Sequence, residues 1–242
     1  MSRNILVTGV SQGLGLAITR AVLVAGWSVY GVSRRLSPEF AALQRAHPGR
    51  AHFHAFDLAR AEAVKADLFE PFLPFSLPLH GFVNNAAVAY DALVSNLDVA
   101  QLRAMYEVNV FAPMLITKHV IRQMLLRQSA GSIVHISSVS AHTGYKGLAM
   151  YASTKGALEA FSKNTAREWG ERGIRSNCVV AGFMDTAMNA ALAAGQREKI
   201  HRRAALRQAT SPESVAATVV HLLGDGAASV TGQNVVVDAG TI

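Results

Sequence analysis

The stretch Asn4-Ile5-Leu6-Val7-Thr8-Gly9-Val10-Ser11-Gln12-Gly13-Leu14-Gly15 decides the fold of this chain. Its first half, Asn4–Thr8, is an apolar, β-branched run of strand type, and the glycines that follow break it before a helical apolar pattern begins at Leu14. A strand that turns through glycines into a helix opens a βαβ unit. Glycines there let the backbone turn tightly and approach a pyrophosphate, whose charge then rests on free amides at the helix N-terminus. The spacing is G-x-x-x-G-x-G and not the better-known G-x-G-x-x-G. Glycine turns also serve packing, but the position between first strand and first helix favours a cofactor. Thr8, Gly9, Ser11, Gln12, Gly13, Leu14 and Gly15 are the residues offered to it.

Working outward, β-branched runs alternate with helical patterns along the whole chain, which predicts an α/β fold with a parallel sheet. Strands are expected at Asn4–Thr8, Ser28–Val32, His52–Ala55, Gly81–Asn84, Ser132–Ile136, Arg175–Val180 and Asn234–Val237. Helices are expected near Leu14–Ala25, Pro38–Arg45, Ala61–Leu68, Leu97–Leu126 with a break at Pro113, Ala152–Glu171 and Pro212–Leu223. Ser211-Pro212-Glu213 is a helix start, with a cap, a first-turn proline and a carboxylate facing the dipole. Asp98 with Gln101 resembles a capping box. No repeat and no low-complexity linker divides the 242 residues, so one domain is expected, with Pro71–Pro78 as a loop within it.

Half of the residues are apolar, and the apolar stretches are short and interrupted, so no membrane span is expected. Met1-Ser2-Arg3-Asn4 enters the first strand without the pattern of a secretory leader, which makes a cytoplasmic location the expectation. A single cysteine, Cys178, leaves no internal disulfide and no thiol metal cluster, and it reads as a small apolar strand residue. None of the nine histidines has metal-ligand spacing, so no metal is expected. The net charge of +7 suits acidic partners or a polyphosphate cofactor. The basic residues are scattered, with Arg34-Arg35 and Arg202-Arg203 the only adjacent pairs, which argues against a nucleic-acid surface.

Beyond the second strand, Gly31-Val32-Ser33-Arg34-Arg35 holds no carboxylate. An acid there would bind both ribose hydroxyls and repel a 2′-phosphate. Its absence, with Ser33 as a donor and Arg34 as a phosphate clamp, predicts NADP(H) over NAD(H). Asp57-Leu58 closes the third strand, where the carboxylate serves either a turn or the adenine amino group. Asn84-Asn85-Ala86-Ala87 closes the fourth, and its asparagines serve either the sheet edge or the cofactor.

Tyr151-Ala152-Ser153-Thr154-Lys155 opens a long helix and places phenol and ammonium on one face. The nearby charge is expected to lower the phenol pKa from about 10 toward the working range of a general acid. Ser138, after the fifth strand, is placed to hold a carbonyl oxygen. Asn109 interrupts an apolar helical run and needs a partner if buried.

With these residues in this order, the chain resembles the short-chain dehydrogenase/reductase family from Thr8 to Gly240. The resemblance rests on the T-G-x-x-x-G-x-G turn at Thr8–Gly15, Asn84–Ala87, Ser138 and the Y-x-x-x-K of Tyr151–Lys155. It implies a Rossmann-type doubly wound domain with seven parallel strands and a catalytic tetrad of Asn109, Ser138, Tyr151 and Lys155. It also implies hydride transfer from a nicotinamide while the tyrosine protonates the oxygen. The lysine then binds the nicotinamide ribose and the asparagine holds a water relay. Cofactor contacts are implied at Asn85, Ala86, Asp57, Leu58, Gly182, Met184 and Thr186 as well.

Three positions depart from the family pattern. Ala87 replaces glycine, Ala181 replaces the proline before Gly182 and so loosens that loop, and Gln12 stands where many NADP-dependent members carry arginine. The segment 183–208 corresponds to the family's substrate lid, and its apolar side suits an acyl or alicyclic body. Substrate contacts are expected from Ser138, Tyr151, His142, Tyr145, Phe183 and Met188, with Met150 beside His142 at the mouth. The pattern is most similar to the beta-ketoacyl-acyl-carrier-protein reductases, which implies an acidic carrier-protein partner and contacts at Arg172, with Arg127 displaced from its usual place by Ser129. The alternatives are an NADPH-dependent reductase of a free ketone, sugar or alicyclic alcohol, and a non-catalytic NADP-binding regulator. The family resemblance implies a homotetramer built on the helices that bear Asn109 and Tyr151.

Overall fold

The computed structural model describes residues 3–186 and 194–242. Seven strands form one parallel sheet in the order β3-β2-β1-β4-β5-β6-β7, the arrangement expected of a Rossmann-type fold. They are β1 Asn4–Thr8, β2 Ser28–Ser33, β3 Ala51–Ala55, β4 Gly81–Asn84, β5 Gly131–Ser138, β6 Ile174–Ala181 and β7 Asn234–Val237. The register sets Ile5 of β1 between Val29 of β2 and Gly81 of β4.

Both faces of the central strands are buried, which is why those strands read as nearly continuous apolar runs. Side chains still alternate along each strand. Ile5 and Val7 enter the core on one face, where α1 Gly13–Val24 and α8 Pro212–Leu223 pack together. Leu6, Phe82 and Ile133 enter the core on the other, beneath α5 Ala112–Leu126. Among the described residues no helix is long and apolar enough to cross a membrane.

Two helices differ from expectation. The segment read as one helix over Ala61–Leu68 is a 3-10 turn at Ala61–Ala63, wide turns at Val64–Phe69, and a short α3 at Glu70–Phe72. Pro71 removes an amide there and leaves the carbonyls before it without their usual donor. The long helix expected to break at Pro113 instead runs from α4 Val99–Tyr106 through wide turns at Glu107–Phe111 into α5. Pro113 sits in the first turn of α5, where its missing amide is harmless, and the strain is taken up one turn earlier, around Asn109. Asp98 caps α4 by accepting from the Ala100 and Gln101 amides, and Ser211 caps α8 by accepting from Ser214.

The remaining helices are α2 Pro38–Ala46, α6 Ala149–Trp169 and α7 Ala194–Arg203. The sixth begins three residues before its expected start at Ala152, so Tyr151 lies in its first turn. The chain reverses direction across the sheet at β1, and the carboxyl ends of β1 and β4 part there to open a cleft.

Gly9 has φ +75°, a left-handed conformation that turns the chain out of β1. Gly15 is needed for space, since a Cβ there would lie 2.0 Å from the Gly9 carbonyl oxygen. Gly15→Ala should therefore destabilise the protein by about 2 kcal/mol, within the usual cost of overpacking. Calorimetry should show a fall in Tm of roughly 4–8 °C; an unchanged Tm would mean that the turn yields without cost.

Candidate active site

The carboxyl ends of six strands line one cleft of about 1750 Å³. Gly9, Ser11, Gln12, Gly13, Leu14 and Gly15 form its floor at the first turn. The N-terminus of α1 has no side-chain cap and no acid in its first turn, so its leading amides face the cleft unneutralised. Thr186 lies over this turn, its methyl carbon 3.7 Å from where a Gly13 Cβ would be. A glycine cradle, a bare helix dipole and a groove running past β2 and β3 together fit a dinucleotide.

Thr8, expected among the cofactor contacts, is instead wholly buried. Its Oγ1 accepts from the amides of Asn85 and Ala86, each at 3.1 Å. Asn85 Nδ2 in turn donates to the Thr8 and Gly9 carbonyls at 2.9 and 3.3 Å. Asn84, the other asparagine of that strand end, is buried in the sheet against His135. The ends of β1 and β4 are thus pinned together, and Asn85 and Ala86 line the cleft.

Past β2, Arg34 and Arg35 line the groove, exposed and without ion pairs among the described residues. Ser33 lines it too, but its hydroxyl donates to the Arg35 carbonyl at 3.0 Å and shapes the turn. Asp57 and Leu58 line the groove at the end of β3, and Asp57 also accepts from the Ala59 amide at 3.0 Å.

At the other end lie Ser138, Tyr151 and Lys155. Ser138 Oγ accepts from the Ser140 amide at 3.2 Å and the Ser140 hydroxyl at 3.0 Å. With both lone pairs so engaged, its own proton is left to donate into the cleft. Lys155 is buried, and its Nζ donates to the Ile136 carbonyl at 2.8 Å and lies 5.5 Å from the Tyr151 ring centroid. Burial lowers this ammonium to about 8. The expected lowering of the phenol is not what the fold does: burial, then the Asp91 carboxylate, push Tyr151 up to about 12. Burial dominates because it strips hydration from the phenolate and leaves the neutral phenol little affected. Behind them His135 is fully buried and driven down to about 3, first by burial and then by Lys155, so it is neutral.

Asn109 is buried and does not line the cleft. Its carboxamide accepts from the Val88 amide at 2.9 Å, and donates to the Val88 carbonyl at 2.8 Å and Thr154 Oγ1 at 3.1 Å. All of this ties the loop after β4 to the helix that carries Tyr151 and Lys155, which makes Asn109 a positioning residue.

His142, expected at the substrate mouth, turns away from the cleft. Its Nε2 lies 2.9 Å from Glu159 Oε1, which also accepts from Ser137 Oγ at 2.5 Å. Glu159 Oε2 accepts from Asn234 Nδ2 at 2.7 Å. Met150 is buried as well. Tyr145 and Phe183 do line the cleft, whereas Met188 lies outside the described residues. Gly182, Met184 and Thr186 also line it. Ala181 does not loosen the loop: it pairs with Ser138 and Val237, and the Gly182 amide donates to the Val237 carbonyl at 2.9 Å.

Sequence reading missed Glu159, Asp91, Lys146 and Arg203. Glu159 had a signal, since it continues the four-residue spacing of Tyr151 and Lys155 down one helix face. The others lie on loops and on α7, where no periodicity points to the cleft.

A family model described as enoyl-(acyl carrier protein) reductase matches residues 9–241. The chain is 31% identical over 238 residues to a 3-oxoacyl-[acyl-carrier-protein] reductase of Aquifex aeolicus, covering 97% of this chain and 95% of that one. It is 33% identical over 237 residues to carbonyl reductase [NADPH] 2 of Sus scrofa, covering 97% and 94%. Its fold matches a crystal structure of a candidate 2-deoxy-D-gluconate 3-dehydrogenase of Agrobacterium tumefaciens with bound NADP, at a TM-score of 0.91 and 26% identity, covering 99% and 96%.

The buried Glu159 carboxylate holds three donors from three elements. Glu159→Ala should leave those donors unpaired and destabilise the protein by about 3 kcal/mol. That corresponds to a fall in Tm of roughly 6–12 °C by calorimetry, and a change below a degree would remove the network from the fold's supports.

Proposed function

The chain belongs to the short-chain dehydrogenase/reductase family of oxidoreductases, and we propose that it uses NADPH to reduce the keto group of a 3-oxoacyl thioester carried on acyl carrier protein. One observation carries the carbonyl-reducing part: a donating Ser138 hydroxyl, the Tyr151 phenol and the Lys155 ammonium meet in one cleft with an open glycine cradle. The thioester part rests on similarity to the acyl-carrier-protein reductases.

When bound, the nicotinamide supplies hydride to the carbonyl carbon. Ser138 donates a hydrogen bond to the carbonyl oxygen and orients it. Tyr151 gives that oxygen its proton. A phenol held near 12 is fully protonated at neutral pH, and it remains a stronger acid than the alcohol formed, so the transfer runs downhill. Lys155 spends one N–H on Ile136 and keeps two for the nicotinamide ribose and the phenolate left behind. Asn109 holds the Val88 loop and Thr154 so that this geometry persists.

NADPH is preferred over NADH in this reading because Arg34 and Arg35, without ion pairs among the described residues, line the groove just after β2, where the sequence places no carboxylate. Exposed Arg172, and Arg127, which donates to the Phe75 and Ser76 carbonyls, suit an acidic carrier protein. Val99, Phe111 and Leu126 stay exposed along α4 and α5, which supports a homotetramer built on these helices. A cytoplasmic enzyme of one domain fits this role, and the lid expected at 183–208 lies partly outside the described residues. Similarity to the pig carbonyl reductase and to the candidate 2-deoxy-D-gluconate dehydrogenase favours a second reading, in which the same residues act as a reductase or dehydrogenase on a free ketone, a sugar or an alicyclic alcohol.

NADPH oxidation with a 3-oxoacyl thioester and a panel of free ketones tests the proposal. Tyr151→Phe should lower kcat by roughly 10²–10⁴ while NADPH still binds, and undiminished turnover would remove the tyrosine from the reaction. Arg34→Ala should reduce kcat/KM for NADPH by about ten-fold and leave NADH little changed, as expected for one charged hydrogen bond. Equal losses with both cofactors would take Arg34 out of phosphate recognition.

A further inference from the structure

Helix α7 sorts its charged side chains by face. Arg197 and His201, one turn apart, reach the two carboxylate oxygens of Asp185 at 3.9 and 3.5 Å, and the His201 ring meets Phe183 at a tilt with centroids 5.9 Å apart. Glu198 and Arg202 pair with each other at 2.6 Å on an exposed face. That leaves Ile200 and Arg203, three residues apart, on the face that lines the cleft. The end of α7 is held there by backbone bonds, Ala205 to the Gly240 carbonyl and Leu206 to the Ala239 carbonyl, both at 3.0 Å.

A second cation enters the cleft from the loop between β5 and α6. Lys146 lines it together with Tyr145 and Leu148. Neither Arg203 nor Lys146 has an ion-pair partner among the described residues. Apolar Phe183, Met184, Leu148 and Ile200 line the cleft with them. Asp91 is the acid at this end, and its carboxylate acts on Tyr151, so an anion is disfavoured beside the reacting oxygen itself. Two cations without ion pairs among the described residues, one of them a planar guanidinium, in a cleft with apolar walls suit an oxyanion.

We infer that the substrate carries a phosphate or carboxylate set apart from its carbonyl, and that Arg203 and Lys146 hold this anion while Ser138 and Tyr151 take the carbonyl oxygen. The inference rests on the carbonyl-reducing reading above and adds the chemical class of the substrate.

Three ketone probes separate the cases: the neutral N-acetylcysteamine thioester of 3-oxobutanoate, its 4′-phosphopantetheine thioester, and 7-oxooctanoate, whose carboxylate lies several carbons from its keto group. In Arg203→Ala and in Lys146→Ala, the ratio of kcat/KM for an anionic probe to that for the neutral one should fall by roughly ten-fold, mostly through KM, the size of a lost charged hydrogen bond. Arg203→Lys should recover part of the loss, and raised salt should narrow the ratio in the native protein. The anionic probe that loses more identifies phosphate or carboxylate. A ratio held within twofold in both alanine variants overturns the inference. Calorimetric titration with 4′-phosphopantetheine and with 7-oxooctanoate is independent of turnover. If no probe is reduced but binding is lost in Arg203→Ala, the anion site stands and the carbonyl-reducing reading fails. If the probes are reduced and bound alike by native and variant proteins, the reading stands and the anion site fails.

Discussion

A single buried hydroxyl holds the two sides of the cleft together. Thr8 Oγ1 accepts from consecutive amides at the end of β4, and Asn85 answers by donating to the carbonyls at the end of β1. These strands are neighbours in the sheet but far apart in the chain, and the cleft opens where their ends diverge. Each amide left unpaired in that buried position would cost about 1–3 kcal/mol. The glycine turn, the Val88 loop and the residues beyond them take their places from this junction.

Charge in the site is governed by desolvation more than by pairing. Lys155 loses proton affinity, Tyr151 gains it, and His135 is kept neutral, each with burial as the largest cause. A protonated phenol and a cation close to its titration point are what a proton donor and its relay require near neutrality. Glu159 shows the opposite solution, in which a buried carboxylate is surrounded by donors from β5, the loop that follows it, and β7. Through Ser137 and His142 it steadies both ends of the segment that includes Ser138.

The strands were readable from β-branched runs because both faces of a parallel sheet are buried, and each was found within two residues of its observed ends. Helices that contain proline were less readable. Pattern alone does not say whether a missing amide breaks a helix or widens the turn before it, as happens ahead of Pro71 and Pro113. Ser138, Tyr151 and Lys155 were legible because strand order and helical spacing both direct them to one place. His142 was misjudged, since nearness in sequence to Ser138 did not reveal the carboxylate waiting on α6.

The sequence by itself determined the α/β alternation, the glycine turn that ends β1, and the helical spacing that puts Tyr151 and Lys155 on one face. These follow from local backbone preference and periodicity, which act over a few residues. Only the tertiary structure decided that Thr8 is a brace, that Asn109 positions a loop, that the phenol is driven upward, and that Arg203 and Lys146 line the same cleft. Those outcomes depend on burial and on partners distant in the chain, and such pairings are settled by packing.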